Sequence, residues 1–137
     1  MTKRVYRAPK NVLDREAMDM IAQDDVERLR HLPIDLGFNH ENWCFIQDVC
    51  VRLSSHKDTR IRASALMGLS YAARFRGQLE KNVVKPVLLR GLRDPEQLVA
   101  QEAAEAIGDI NKLMGWRIGG AKRQKQLEAR YGLRREA

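Results

Sequence analysis

The chain has 137 residues, 44% hydrophobic and 31% charged, which fits one soluble folded domain and excludes a fibrous or wholly disordered protein. No run approaches the ~20 apolar residues of a membrane span, and the basic start MTKRVYRAPK is not followed by the apolar stretch of a secretory signal. A net charge of +7 invites a nucleic-acid partner, so where the charge sits matters.

Residues 1–10 carry Lys3, Arg4, Arg7 and Lys10 with no acid and read as a basic N-terminal arm. The body, 11–115, is slightly acidic, and its first part, 11–58, has five basic against ten acidic residues. Its pattern is helical: β-branched residues are scattered and alternation never persists. Over 15–32, Ala17, Met18, Ile21, Val26, Leu29 and Leu32 follow a rhythm of three to four, with Asp24-Asp25 as a break and Pro33 as the end. The stretch 34–40 reads as a loop with partly buried Ile34, Leu36 and Phe38. A helix from Glu41 or Asn42 to Leu53 is expected to bury Trp43, Ile46, Val49, Cys50 and Leu53. Asp58 caps a longer helix that runs to Arg76, with Gly77 as its stop. The next, from Asn82 to Leu92, buries Val83, Val84, Val87 and Leu88, with Pro86 tolerated near the first turn. Asp94-Pro95 opens the last helix of the body, which runs to Met114 before Gly115. Residues 116–137 hold Arg117, Lys122, Arg123, Lys125, Arg130, Arg134 and Arg135 against Glu128 and Glu136. This basic segment reads as a solvated tail or as a capping helix docked through Leu127 and Tyr131.

The two long blocks repeat one another. Ile61 aligns with Val99, Ala65 with Ala103, Gly68 with Ala106 and Leu69 with Ile107, at an offset of 38 residues. That offset lies in the range of stacked helix pairs, in which small residues let helices approach and large ones fill the layer between. The blocks Asp58-Thr-Arg-Ile-Arg-Ala-Ser-Ala-Leu-Met-Gly-Leu and Asp94-Pro-Glu-Gln-Leu-Val-Ala-Gln-Glu-Ala-Ala-Glu-Ala-Ile-Gly resemble HEAT repeats, well over 41–114 and weakly over 15–32. The resemblance implies an all-α fold, a short right-handed HEAT-like α-solenoid of about three helix pairs, whose second helices line a concave surface.

Catalytic spacing is lacking. His31, His40 and His56 fall at helix ends or turns, and none has a metal-site or nucleophile partner at the required distance in sequence. Gly119-Gly120 lacks the spacing of a phosphate loop and reads as a hinge. Cys44 and Cys50 point about 120° apart on a helix and read as small core residues. Free thiols without a signal sequence point to a reducing cytoplasm. Adjacent Asp24 and Asp25 diverge by about 100° and suit a helix cap better than paired catalysis. The chain is therefore expected to be a non-enzyme without cofactor or metal.

Two rows are more suggestive. Arg60, Ser64, Met67, Tyr71 and Arg74 form one stripe at helical spacing, and exposed Arg, Met and Tyr are the composition of a protein contact. The plainer reading makes Met67 core and the arginines solvated. Glu102, Glu105, Asp109 and Lys112 form a second, acidic row. By the resemblance, both rows share a groove with Asp24, Asp25, Glu27 and Arg28. A small HEAT-like protein also looks like the immunity proteins that neutralise bacterial toxins, which implies a protein partner, and the acidic 11–58 suits a basic nuclease toxin. Two alternatives stand beside this: nucleic-acid binding through the basic ends or a concave surface, and a scaffold or adaptor subunit.

Overall fold

The computed structural model describes residues 7–119; residues 1–6 of the basic arm and the expected tail or capping helix beyond 119 lie outside the described residues. Helices α1 (Asp14–Gln23), α2 (Val26–Leu29), α3 (Leu32–Asn39), α4 (Trp43–Leu53), α5 (Thr59–Arg76), α6 (Lys81–Leu92) and α7 (Gln97–Met114) follow one another, with no strand among the described residues. None of these helices is long and apolar enough to cross a membrane.

Packing follows the repeat. α4 packs on α5 and α6 on α7, while α3, α5 and α7 lie against one another in turn and α4 also touches α6. Helices α5 and α7 are 18 residues each, begin 38 residues apart at 59 and 97, and end at Gly77 and Gly115 with φ of 65° and 69°. Helices α4 and α6 begin at the same separation, at 43 and 81. At the start of α5 the Asp58 carboxylate accepts the Arg60 and Ile61 amides, satisfying two of the donors a helix N-terminus leaves open. Both C-terminal glycines take the left-handed conformation that a Cβ disfavours.

The segment 34–40, expected as a loop, is helix α3. Pro33 does not end a helix there; it sits in the first turn of α3, where its fixed φ and missing N–H do no harm. Helix α3 packs on α5, as α5 does on α7. The two backbones come very close. A Cβ added at Gly68 would stand 2.5 Å from Cys50 Sγ and 2.8 Å from the Pro33 carbonyl oxygen, and one at Gly37 would stand 2.7 Å from Tyr71 Cβ.

The core runs through Leu32, Leu36, Ile46, Ile61, Leu66, Leu69, Leu88, Ile107 and Ile110. Several expected burials differ. In α1 Ala17 and Met20 face the core and Met18 is exposed. Trp43 is half-buried, Cys44 is exposed, and Val83 stands on the outer side of α6. Pro86 lies in the second turn of α6 on the exposed side, where the carbonyl it leaves unpaired can bond to water. The start of α6 is held from α4: the buried Gln47 donates through Nε2 to Glu80 (2.8 Å) and accepts the Glu80 amide (2.7 Å). The core also continues beyond residue 115. After Gly115 the chain turns back, Trp116 packs against the core, and fully buried Ile118 exchanges two hydrogen bonds with Asn111.

Helix α1 is tied at both ends by histidines. His56 Nδ1 accepts the Asp58 amide, so the ring hydrogen sits on Nε2 and is donated to Asp24 at 2.6 Å. His40 repeats the arrangement, accepting the Asn42 amide on Nδ1 and facing Asp14 with Nε2. Each histidine thus stands two residues before a helix cap and reaches one end of α1. The N-terminal segment is fixed separately. The Asp35 carboxylate, buried, accepts two bonds from the Arg7 guanidinium (2.8 and 3.0 Å) and one from the Lys10 amide (3.1 Å).

Candidate functional site

The outward stripe of α5 divides along its length. Arg60 is exposed and lies 3.5 Å from both Glu27 and Asp58, while Glu27 also pairs with Arg30 at 3.2 Å. Ser64, expected on the exposed stripe, is buried instead: its hydroxyl donates to the Arg30 carbonyl at 2.7 Å and closes the seam with the α2–α3 segment. Met67 is half-buried. Half-buried Tyr71 and exposed Arg74 lie further along.

At Tyr71 the stripe becomes an aromatic platform. Gly37 lets α3 come so near that Phe38 reaches Tyr71, with ring centroids 4.6 Å apart. Phe75, one turn on, completes a trio, 5.1 Å from Phe38 and 6.1 Å from Tyr71. Phe38 and Phe75 are 39% and 44% exposed and flank the half-buried Tyr71, so the cluster opens to solvent chiefly through the two phenylalanines. Each such pair contributes about 0.5–1.5 kcal/mol beyond area burial, and exposed apolar patches with polar rims mark interaction sites. Phe75 was absent from the residues singled out by sequence, and Phe38 was expected to be partly buried. The signal available was the pair of aromatics four apart on α5, at 71 and 75.

The acidic row of α7 adjoins this platform. Arg74 approaches Asp109 at 4.0 Å, a loose exposed ion pair that bridges α5 to α7. Glu102, Glu105 and Asp109 share one side of α7 at spacings of three and four. Burial first, and then the charges of Glu105 and Asp109, push the Glu102 carboxyl above the ordinary carboxylate range. Among the described residues neither Glu102 nor Glu105 has a hydrogen bond or an ion pair.

Other groups singled out by sequence have structural duties. Asp24 closes α1 in a left-handed conformation (φ 48°) and receives His56. Asp25 caps α2 by accepting the Arg28 amide, and the Arg28 side chain is exposed. The platform and the α7 row are therefore joined through Arg74, whereas Asp24 and Asp25 are engaged at the ends of α1 and α2. Cys50 is fully buried and its thiol is pushed far up by that burial, which keeps it protonated and inert. Among the described residues no three His, Cys, Asp or Glu side chains are grouped to hold a metal ion. Comparison with protein-family models, curated proteins and solved structures found no match to this chain.

Proposed function

We propose that this chain is a non-catalytic protein-binding module, a short HEAT-like stack whose α3–α5–α7 face holds a partner protein. The observation that carries this is the solvent-facing Phe38–Tyr71–Phe75 platform with its charged rim. Two exposed rings and a half-buried third, carried on two helices, offer aromatic contact area with little side-chain entropy to lose on binding. Toxin neutralisation of the immunity-protein kind is the concrete form we favour, since such an inhibitor needs a shaped surface and no chemistry of its own. Nucleic-acid binding is disfavoured for this face, because carboxylates line it and would repel phosphates. Arg7, counted toward a basic arm, already has its charge engaged by Asp35.

The test is affinity purification from the native host, followed by binding measurements on the purified pair. Tyr71→Ala with Arg74→Ala should weaken the complex at least tenfold, about 1.4 kcal/mol, while the chain stays folded and loses only the stability of the two Tyr71 ring contacts. Undiminished affinity would remove the face from the contact, and unfolding of the double variant would make both residues structural. In the toxin case, co-expression with the partner should protect cells, and the double variant should protect them less.

A further inference from the structure

The charges around the platform also constrain what the partner looks like. Among the described residues, the other buried or half-buried carboxylates are engaged. Asp25 and Asp58 cap helices, Asp35 holds Arg7, Asp94 holds Arg62, and Asp109 faces Arg74. Glu102 and Glu105 are half-buried and have none of these partners. A partly desolvated pair of carboxylates one turn apart repels itself, and a cation brought from outside would relieve that repulsion. The pair sits on α7 beside Asp109, which Arg74 links to the aromatic platform on α3 and α5. Through Arg74 and Asp109 the rings of α3 and α5 and the two unmatched carboxylates of α7 are placed on neighbouring parts of the molecule.

We infer that this surface takes a basic amphipathic helix of a protein partner, its apolar stripe on Phe38, Tyr71 and Phe75 and its Lys or Arg side chains on Glu102 and Glu105. This rests on reading the face as protein-binding and names the chemistry of what it binds. A helix fits better than an extended peptide, because the described residues offer no sheet edge for strand addition and side chains three to four apart match a platform built on helices. A second copy of this chain docked by the same face would bring no excess of cations to Glu102 and Glu105, because its own arginines there, Arg60 and Arg74, already face Glu27, Asp58 and Asp109.

The probe is a pair of synthetic amphipathic peptides about 18 residues long, roughly 27 Å as helices. Both carry Leu and Trp on one face; the other face bears Lys in one peptide and Glu in the other. Each is titrated into the full chain at low and moderate salt and followed by amide chemical shifts. The Lys peptide should shift residues around 67–75 and 102–109, and its affinity should fall as salt rises. Phe75→Ala should weaken it at least fivefold, and Glu102→Gln with Glu105→Gln should do the same while removing most of the salt dependence. Glu102→Lys with Glu105→Lys should reverse the preference in favour of the Glu peptide. Equal binding of both peptides, binding away from this face, or no binding would overturn the inference. In any of those outcomes the protein-binding reading is judged separately, by the response of the purified natural complex to the Tyr71 and Arg74 substitutions.

Discussion

Gly68 and Gly77 show two different reasons for a residue without a side chain. Gly68 is needed for space: a methyl group there would collide with Cys50 and the Pro33 backbone. Gly77 has nothing within 4 Å of a built Cβ and is needed only for its φ of 65°. Gly68→Ala should therefore cost about 1–3 kcal/mol through overpacking, and Gly77→Ala about 1 kcal/mol through backbone strain alone. Urea unfolding of both variants checks the order. Glu102 gives a prediction of opposite sign. Its carboxyl titrates above the ordinary range in the fold, so the folded state binds protons that the unfolded chain has released. Stability should fall as pH rises from the ordinary carboxylate range through that raised value. Glu102→Gln should thus raise the urea midpoint at pH 7 and leave it unchanged at pH values below ordinary carboxylate titration. At this scale the spacing of both rows was legible in the sequence, but the exposure of the α5 stripe was so only in part. The burial of Ser64 was not, because it depends on the Arg30 carbonyl of a segment that sequence spacing did not place.

Between elements, the clearest bond is the one joining the turns ahead of α5 and α7. Arg62 donates through Nε and Nη2 to Asp94 at 2.8 and 3.1 Å, and through Nη1 to the His56 and Lys57 carbonyls at 3.0 and 2.9 Å. Burial works against the Asp94 charge, yet Arg62 and the Glu96 amide more than offset it and hold the carboxyl below the ordinary range. That contribution is present above ordinary carboxylate titration and is lost as pH falls through the depressed value. Arg62→Ala should cost about 1.5–3 kcal/mol at pH 7, the scale of hydrogen bonds to charged groups, and should make stability less sensitive to acid. The ends of α5 and α7 and the starts of α4 and α5 were readable because their caps, Asn42, Asp58, Gly77 and Gly115, act within a turn, whereas α7 starts at Gln97 and not at Asp94-Pro95, the Asp94 carboxylate being held by Arg62. Helix α3 was missed for a non-local reason. Pro33 and Gly37 read as breakers in isolation, and only the neighbouring α5 shows why a proline-led, glycine-containing helix is wanted there. Gln47, which holds the start of α6 from 33 residues away, gives no sequence signal of that duty.

Across the whole molecule, the repeated pairs and α3 form one packed body, while α1 is joined to it by Ala17, Met20 and Ile21, by the turn into α2 and by two histidine–aspartate contacts. Native-state hydrogen exchange should find α1 amides opening at lower free energy than those of α5 and α7. His40→Ala with His56→Ala should lower the α1 value further and leave α5 and α7 close to the parent protein. Net charge was a poor guide at this scale. The excess of +7 comes from the two ends, whereas the described face that most resembles a contact surface is aromatic and acidic. The near-contact of α3 with α5 has one further consequence. The three rings meet only because two backbones touch without side chains between them, so their mutual placement is a gauge of helix separation. Swelling that seam by the width of a methyl group would scatter the rings while most of the interior stayed intact, and the proposed recognition would be lost well before folding was.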